Sequence, residues 1–222
     1  MENLNIIIQV SSELYNKNPD SSKLGKSIVT NSIELINEIG FEAFTFKKLG
    51  VVLNSPESSI YRYFKNKHIL LVYLTSWYWS WMEYKIVFAT SNMESSKDKL
   101  FKAIDILTQP VLIDNSISYI NEILLNEIII SESMKSYQTK NVDEENKKGY
   151  FKSYKSVVQR VSGMILEIKP KFEFSHMLVT TVIEGVHHQR YFADHLPALT
   201  DCSKGKNNIT KFYTELILKF IQ

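Results

Sequence analysis

The chain has a single cysteine, Cys202, so it can close no intrachain disulfide and suits a reducing compartment. Proline and glycine are scarce, five and seven among 222 residues, and most fall between stretches of helical periodicity. No segment shows the sustained alternation of apolar and polar residues that marks a half-buried strand. Long hydrophobic runs are missing too. The best of them, Ile69–Met82, carries no charge but falls short of the about 20 residues that span a bilayer. The opening residues, MENLNIIIQV, have neither a basic region nor a cleavable small-residue site, so no export signal is expected. There is no glycine-rich phosphate loop, no nucleophile elbow and no zinc-finger spacing. Together these absences point to an all-α, cytoplasmic protein without the marks of the common enzyme classes.

What is present is globular: 44% apolar and 23% charged residues. The net charge of +2 hides an uneven distribution. Residues 1–43 carry three lysines against six acids, whereas residues 44–68 carry Lys47, Lys48, Arg62, Lys65 and Lys67 against Glu57 alone. A short basic block in a near-neutral chain suits contact with a polyanion, or else a solvated helical face.

Periodicity divides the chain into helices. Residues 1–20 hold an apolar patch and suit a short extra helix packed on the body. From Ser22 to Ile39 one face is traced by Ile28, Ser32, Leu35, Ile36 and Ile39, and Gly40 can supply a left-handed stop. Thr45 caps a short helix over Phe46–Leu53. Ser55 and Pro56 open a third, to about Phe64. Asn66 caps a long fourth, to about Ala89. Five more are expected at 96–109, 116–133, 143–168, 173–195 and 207–221.

The densest signal is FKKLGVVLNSPESSIYRYFKNK, Phe46–Lys67. A helix-turn-helix needs a small residue where its helices cross, which Gly50 supplies. Its turn needs a left-handed backbone, for which Asn54 is the best choice after glycine. Ile60 anchors the second helix, and Leu49, Leu53 and Phe64 complete a small core. Residues 57, 58, 59, 61 and 62 are left facing outward, available to a groove.

The run Ile36–Leu71 resembles the DNA-binding domain of the TetR family of transcription regulators. Its marks are the Gly40-Phe41 helix end, Ala43, Thr45, Leu49 and above all Ile60-Tyr61-Arg62-Tyr63-Phe64-Lys65-Asn66-Lys67. Gly50 stands where the family has alanine, Asn54 where it has glycine, and Glu57 adds a negative charge near the start of the recognition helix. The resemblance implies that Thr45 and Lys67 hold backbone phosphates, that Tyr63 bonds a phosphate through its hydroxyl, and that Tyr61 presses on the sugar-phosphate wall or a thymine methyl. It offers Lys47, Ser58, Ser59 and Arg62 to base edges. Tyr61 and Tyr63 could instead be packing residues.

The resemblance further implies an architecture: an N-terminal extension at 1–20, a three-helix helix-turn-helix DNA-binding domain at 21–68, and a helical ligand-binding and dimerisation domain at 69–222. The last two long helices would build a four-helix interface in a homodimer that places two recognition helices on a palindromic operator. A small inducer would release that operator, which makes a repressor. The alternative is a helical small-molecule-binding protein of the same fold without DNA function.

All three tryptophans lie on the fourth helix. Trp77, Trp81, Tyr84 and Phe88 share a stripe suited to an apolar ligand or to plain packing, with Tyr119 and Glu122, or Tyr150 and Tyr154, as orienting groups from facing helices. No cationic cluster follows residue 85, so a neutral or weakly cationic inducer is favoured over a nucleotide. Two Glu-x-x-His spacings, Glu173/His176 and Glu184/His187, resemble half of a di-iron site. Both fall on one helix and cannot easily converge, so neither metal nor cofactor is expected, and His187 and His188 suit a pocket or a dimer interface.

Overall fold

The computed structural model describes residues 8–113, 119–202 and 208–221. Among them the chain is all-α. The helices are α1 (Lys23–Ala43), α2 (Phe46–Val52), α3 (Glu57–Tyr61), α4 (Lys67–Thr90), α5 (Ser96–Thr108), α6 (Glu122–Glu132), α7 (Met134–Tyr137), α8 (Val142–Lys147), α9 (Lys152–Ile168), α10 (Ser175–His195) and α11 (Asn208–Ile221). Short 3-10 turns lie at Ser12–Leu14, Pro19–Ser21 and Pro197–Leu199.

Local chemistry explains most of the ends. Gly40 takes φ 77° and breaks the helical path of α1 where the sequence places a stop. Ser22, Thr45 and Ser95 cap α1, α2 and α5 through their side-chain oxygens. The helix expected at 143–168 is instead two, α8 and α9, because Gly149 at φ 81° turns the chain between them. The helix expected at 116–133 begins at Glu122, where Asn121 caps it; residues 116–118 lie outside the described residues. In place of a helix in the described part of residues 8–20 there are two 3-10 turns in an extended strap, with Leu14 and Pro19 buried.

The described residues pack as two units. One comprises the residues up to Tyr78 together with Val111–Lys152; the other comprises Trp79–Pro110 and the residues from Ser153 onward. This division does not coincide with a boundary at residue 68. The segment carrying α6 returns to the first unit, where Thr30 Oγ1 donates to Tyr119 O at 2.6 Å and Asn37 Nδ2 to Leu124 O at 2.9 Å. In the second unit α11 packs on α5 and α10: Thr108 Oγ1 donates to Thr210 Oγ1 at 2.9 Å, and Gly185 leaves room for the Tyr213 ring.

Every residue from Ile69 to Trp79 is buried, so α4 is apolar around its whole circumference and sits in protein. No helix among the described residues is long and apolar enough to cross a membrane.

Candidate nucleic-acid interface

The α2-turn-α3 element rests on a small core. Phe44, Leu49, Ile60 and Phe64 are fully buried and Phe46 nearly so, while Leu53 is half-buried. Asn54 takes φ 46°, the left-handed turn expected of it, and the Ser55 amide then donates to Gly50 O at 2.9 Å. A Cβ on Gly50 would stand 2.8 Å from the Ser55 carbonyl oxygen, so the close approach of α2 to the turn demands glycine here. Ser55 does not cap α3. Its N-cap is Pro56, without a side-chain bond, and α3 proper ends at Tyr61, giving way to a turn closed by Tyr63 N and Phe64 N on Ile60 O.

Thr45, Lys47, Ser58, Tyr61 and Arg62 are exposed along this element, and Ser59 is half-exposed. Thr45 Oγ1 accepts from the Lys48 amide at 3.2 Å, which leaves its hydroxyl proton available. Tyr61 leans edge-on against Phe46, with ring centroids 5.0 Å apart, and presents the rest of its ring to solvent. Partial burial, then the Glu57 carboxylate, raises its hydroxyl pKa, so it stays a neutral donor. Lys65 is exposed beside Arg62. The element therefore carries an exposed edge of hydroxyls, one aromatic face and cations, a set able to bond phosphates and base edges.

Two residues sit differently from the resemblance. Tyr63 is only 3% exposed; its hydroxyl lies 2.7 Å from Ser22 Oγ, and Lys17 Nζ covers its ring at 5.2 Å. Lys67 Nζ donates to the carbonyls of Phe41 (3.0 Å), Glu42 (3.1 Å) and Phe44 (3.2 Å) and lies 4.8 Å from the centroid of the Phe41 ring. An ammonium has three donors, and here three carbonyls left open at the end of α1 take them. A phosphate would have to displace one of them.

One feature of the site had no sequence signal. The strap before α1 grips the end of α3: the Asn16 amide donates to Tyr63 O at 2.7 Å and Asn16 Nδ2 to Tyr61 O at 3.1 Å. The C-terminal end of α3 is thus held by residues that precede α1.

The expected ligand-binding residues are distributed over the two units. Trp77, Tyr119 and Glu122 belong to the first unit, and Trp81, Tyr84 and Tyr154 to the second. Trp77 and Trp81 are buried, Tyr84 stacks on Phe88 with centroids 6.0 Å apart, and Phe88 is exposed. Within the second unit Tyr154 instead stacks on Trp79 at 4.5 Å and its hydroxyl donates to Glu184 Oε1 at 2.9 Å. The His187 ring stands 6.0 Å from Trp79, and its Nδ1 is buried with no hydrogen-bond partner among the described residues. Burial, then Arg190 and His188, pulls the His187 pKa down to about 4. The two Glu-x-x-His pairs go separate ways, with His176 bonded to Gln159 and Glu184 to Tyr154. Among the described residues no three His, Cys, Asp or Glu side chains are grouped to hold a metal ion.

No protein-family model matches the sequence, and no curated protein matches it. Solved structures do. The superantigen PfiT superposes over 91% of this chain and 97% of its own, with a TM-score of 0.58 at 14% identity. The fatty acid degradation regulator FadR from Bacillus halodurans superposes over 88% of this chain and 93% of its own, also with a TM-score of 0.58 at 14% identity. The chain shares their helical fold. Identity this low carries the architecture and nothing finer.

Proposed function

We propose that the protein is a ligand-responsive transcription regulator of the TetR type that binds a palindromic operator as a homodimer. The observation that carries this reading is the exposed edge Thr45, Lys47, Ser58, Tyr61 and Arg62 on a helix-turn-helix whose crossing admits only glycine and whose turn is left-handed at Asn54. FadR, a regulator of fatty acid degradation, has the same fold, which agrees with the reading.

Two features of the second unit support the rest. Phe174 beside α10, Met177 and Tyr191 on α10, and Phe212 and Phe220 on α11 are large apolar side chains exposed on the two helices expected to pair in a dimer. The stacked Trp79 and Tyr154 rings lie beside His187, whose Nδ1 has no hydrogen-bond partner among the described residues, and this aromatic cluster is where we place the contact with an inducer. Inducer and operator would favour different states of the dimer, and release follows from that difference in affinity.

The direct test is selection of bound duplexes from a random pool by the purified full-length protein. An inverted repeat with half-sites about one helical turn apart is the expected result; a pool that never enriches any duplex overturns the reading. The second reading, a helical binding protein without DNA function, draws support from PfiT, a superantigen with this fold, and predicts that unenriched pool.

A further inference from the structure

A cavity of about 350 Å³ lies in the first unit, beneath the strap that precedes α1. Its walls are Ile8, Val10, Tyr15 and Tyr73, with Ser12, Asn18 and Asp20 as polar members. The volume falls within the range of small-molecule sites. Ser12 and Gln9 are exposed at its rim, so the space is reachable from solvent, while Tyr73 is buried at 1% exposure. Tyr15 and Tyr73 meet edge to face, with centroids 6.3 Å apart.

The polar chemistry is one-sided. The Tyr119 hydroxyl donates to Asp20 Oδ1. Burial is the largest cause raising the Tyr73 and Tyr119 hydroxyls far above the ordinary phenol range, so neither gives up its proton near neutrality. Among the described residues of the wall, the sole formal charge is the Asp20 carboxylate. Two lysines lie over tyrosine rings nearby: Lys17 Nζ is 5.2 Å from the Tyr63 centroid, and Lys26 Nζ is 5.3 Å from the centroid of Tyr119, the ring whose hydroxyl meets Asp20. Among the described residues no ion pair includes Asp20.

We infer that this cavity is a binding site for a small organic cation, an alkyl- or arylammonium, whose charge meets Asp20 while its carbon skeleton lies against Tyr15, Tyr73, Ile8 and Val10. A carboxylate with two tyrosine rings, on a wall whose described residues include no cation, favours an ammonium over a neutral isostere through ion pairing and cation-π attraction. The site goes beyond the DNA-reading function and does not depend on it. It has a structural consequence, because Tyr15 and Asn18 flank Asn16, the residue that grips the end of α3. An occupied cavity therefore holds the strap, and with it the recognition helix, in place.

The test is calorimetric titration of the full-length protein, without DNA, with 2-phenylethylammonium and its neutral isostere 2-phenylethanol. The ammonium is expected to bind and the alcohol to bind about tenfold more weakly or not at all. Asp20→Asn keeps an acceptor for Tyr119 and removes the charge, so it should weaken the ammonium about tenfold and leave the alcohol unchanged. Ser12→Trp, a change at an exposed rim position, should block both ligands; it decides the matter if Asp20→Asn fails to fold. Saturating ammonium should also slow hydrogen exchange at the Asn16 amide. No heat with wild-type protein, equal affinity for the two compounds, or full binding by a folded Ser12→Trp protein each overturns the assignment.

Discussion

The carbonyl oxygen of Ser55 lies 2.8 Å from the point where a Cβ on Gly50 would stand, closer than real Cβ contacts allow, and the atom in the way is backbone. Relief would therefore require α2 to move against the turn that leads into α3. Gly50→Leu is expected to abolish duplex binding while the second unit stays folded, as read by gel shift beside circular dichroism and sedimentation. Gly50→Ala should fall between the two. A leucine protein that binds the selected duplex at wild-type affinity would show that the helices do not cross here.

Arg62 and Lys67 should separate cleanly, although both are cations of one motif. Arg62 is exposed and makes no internal hydrogen bond among the described residues, so Arg62→Ala should leave stability within about 0.5 kcal/mol. It should cost about 1–3 kcal/mol per half-site and relax the preference at one or two base pairs. Lys67 joins three carbonyls at the end of α1, so Lys67→Met should destabilise the protein by about 1–3 kcal/mol. Urea unfolding of both variants checks the contrast. If Lys67→Met proves silent in unfolding and only flattens the salt dependence of binding, the lysine is a phosphate contact after all.

His187 ties stability to pH. Its pKa falls from the ordinary 6.5 to about 4 in the folded protein, so protons bind the unfolded chain first. The stability held in its neutral ring is therefore complete above pH 6.5 and is lost as pH drops from 6.5 toward 4. The loss is on the order of 3 kcal/mol. His187→Leu should unfold with a visibly smaller change in urea midpoint between pH 7 and pH 4.5 than wild type. Parallel pH profiles for the two proteins would mean that the imidazole is not desolvated.

The exposed apolar residues of α10 and α11 give the dimer a direct check. Met177 is 67% and Phe212 56% exposed, and aspartate at either position puts a charge where an apolar interface would close. Sedimentation of Met177→Asp with Phe212→Asp should show a monomer where wild type shows a dimer. Wild-type protein that is monomeric at micromolar concentration would remove the two-fold reader altogether.

Most of the fold was legible because the signals are local. Gly40, the Thr45 cap and the Asn54 turn act through bonds to residues within a turn of themselves, so the residue types alone announce them. The same holds for the exposed edge of α2 and α3, where helical periodicity decides which residues face outward. The break at Gly149 was not among them: periodicity carried the expected helix 143–168 straight through a glycine that takes φ 81°.

What the amino-acid order determined by itself, then, is the all-α architecture, the helix-turn-helix and its outward-facing residues. Tertiary structure decided the partners of long side chains. Tyr63 and Lys67 carry the same motif letters whether they bond a phosphate or the protein, and here Ser22 and the carbonyls of Phe41, Glu42 and Phe44 take them. Asp20 gained its meaning only from Tyr119, 99 positions along the chain, and the aromatics of α4 were divided between two units by what packs against each turn. Spacing along a helix gives direction but not depth. Which groups are stripped of water, and so which charges and hydroxyls have strong chemistry, depends on segments brought together from far apart in the chain.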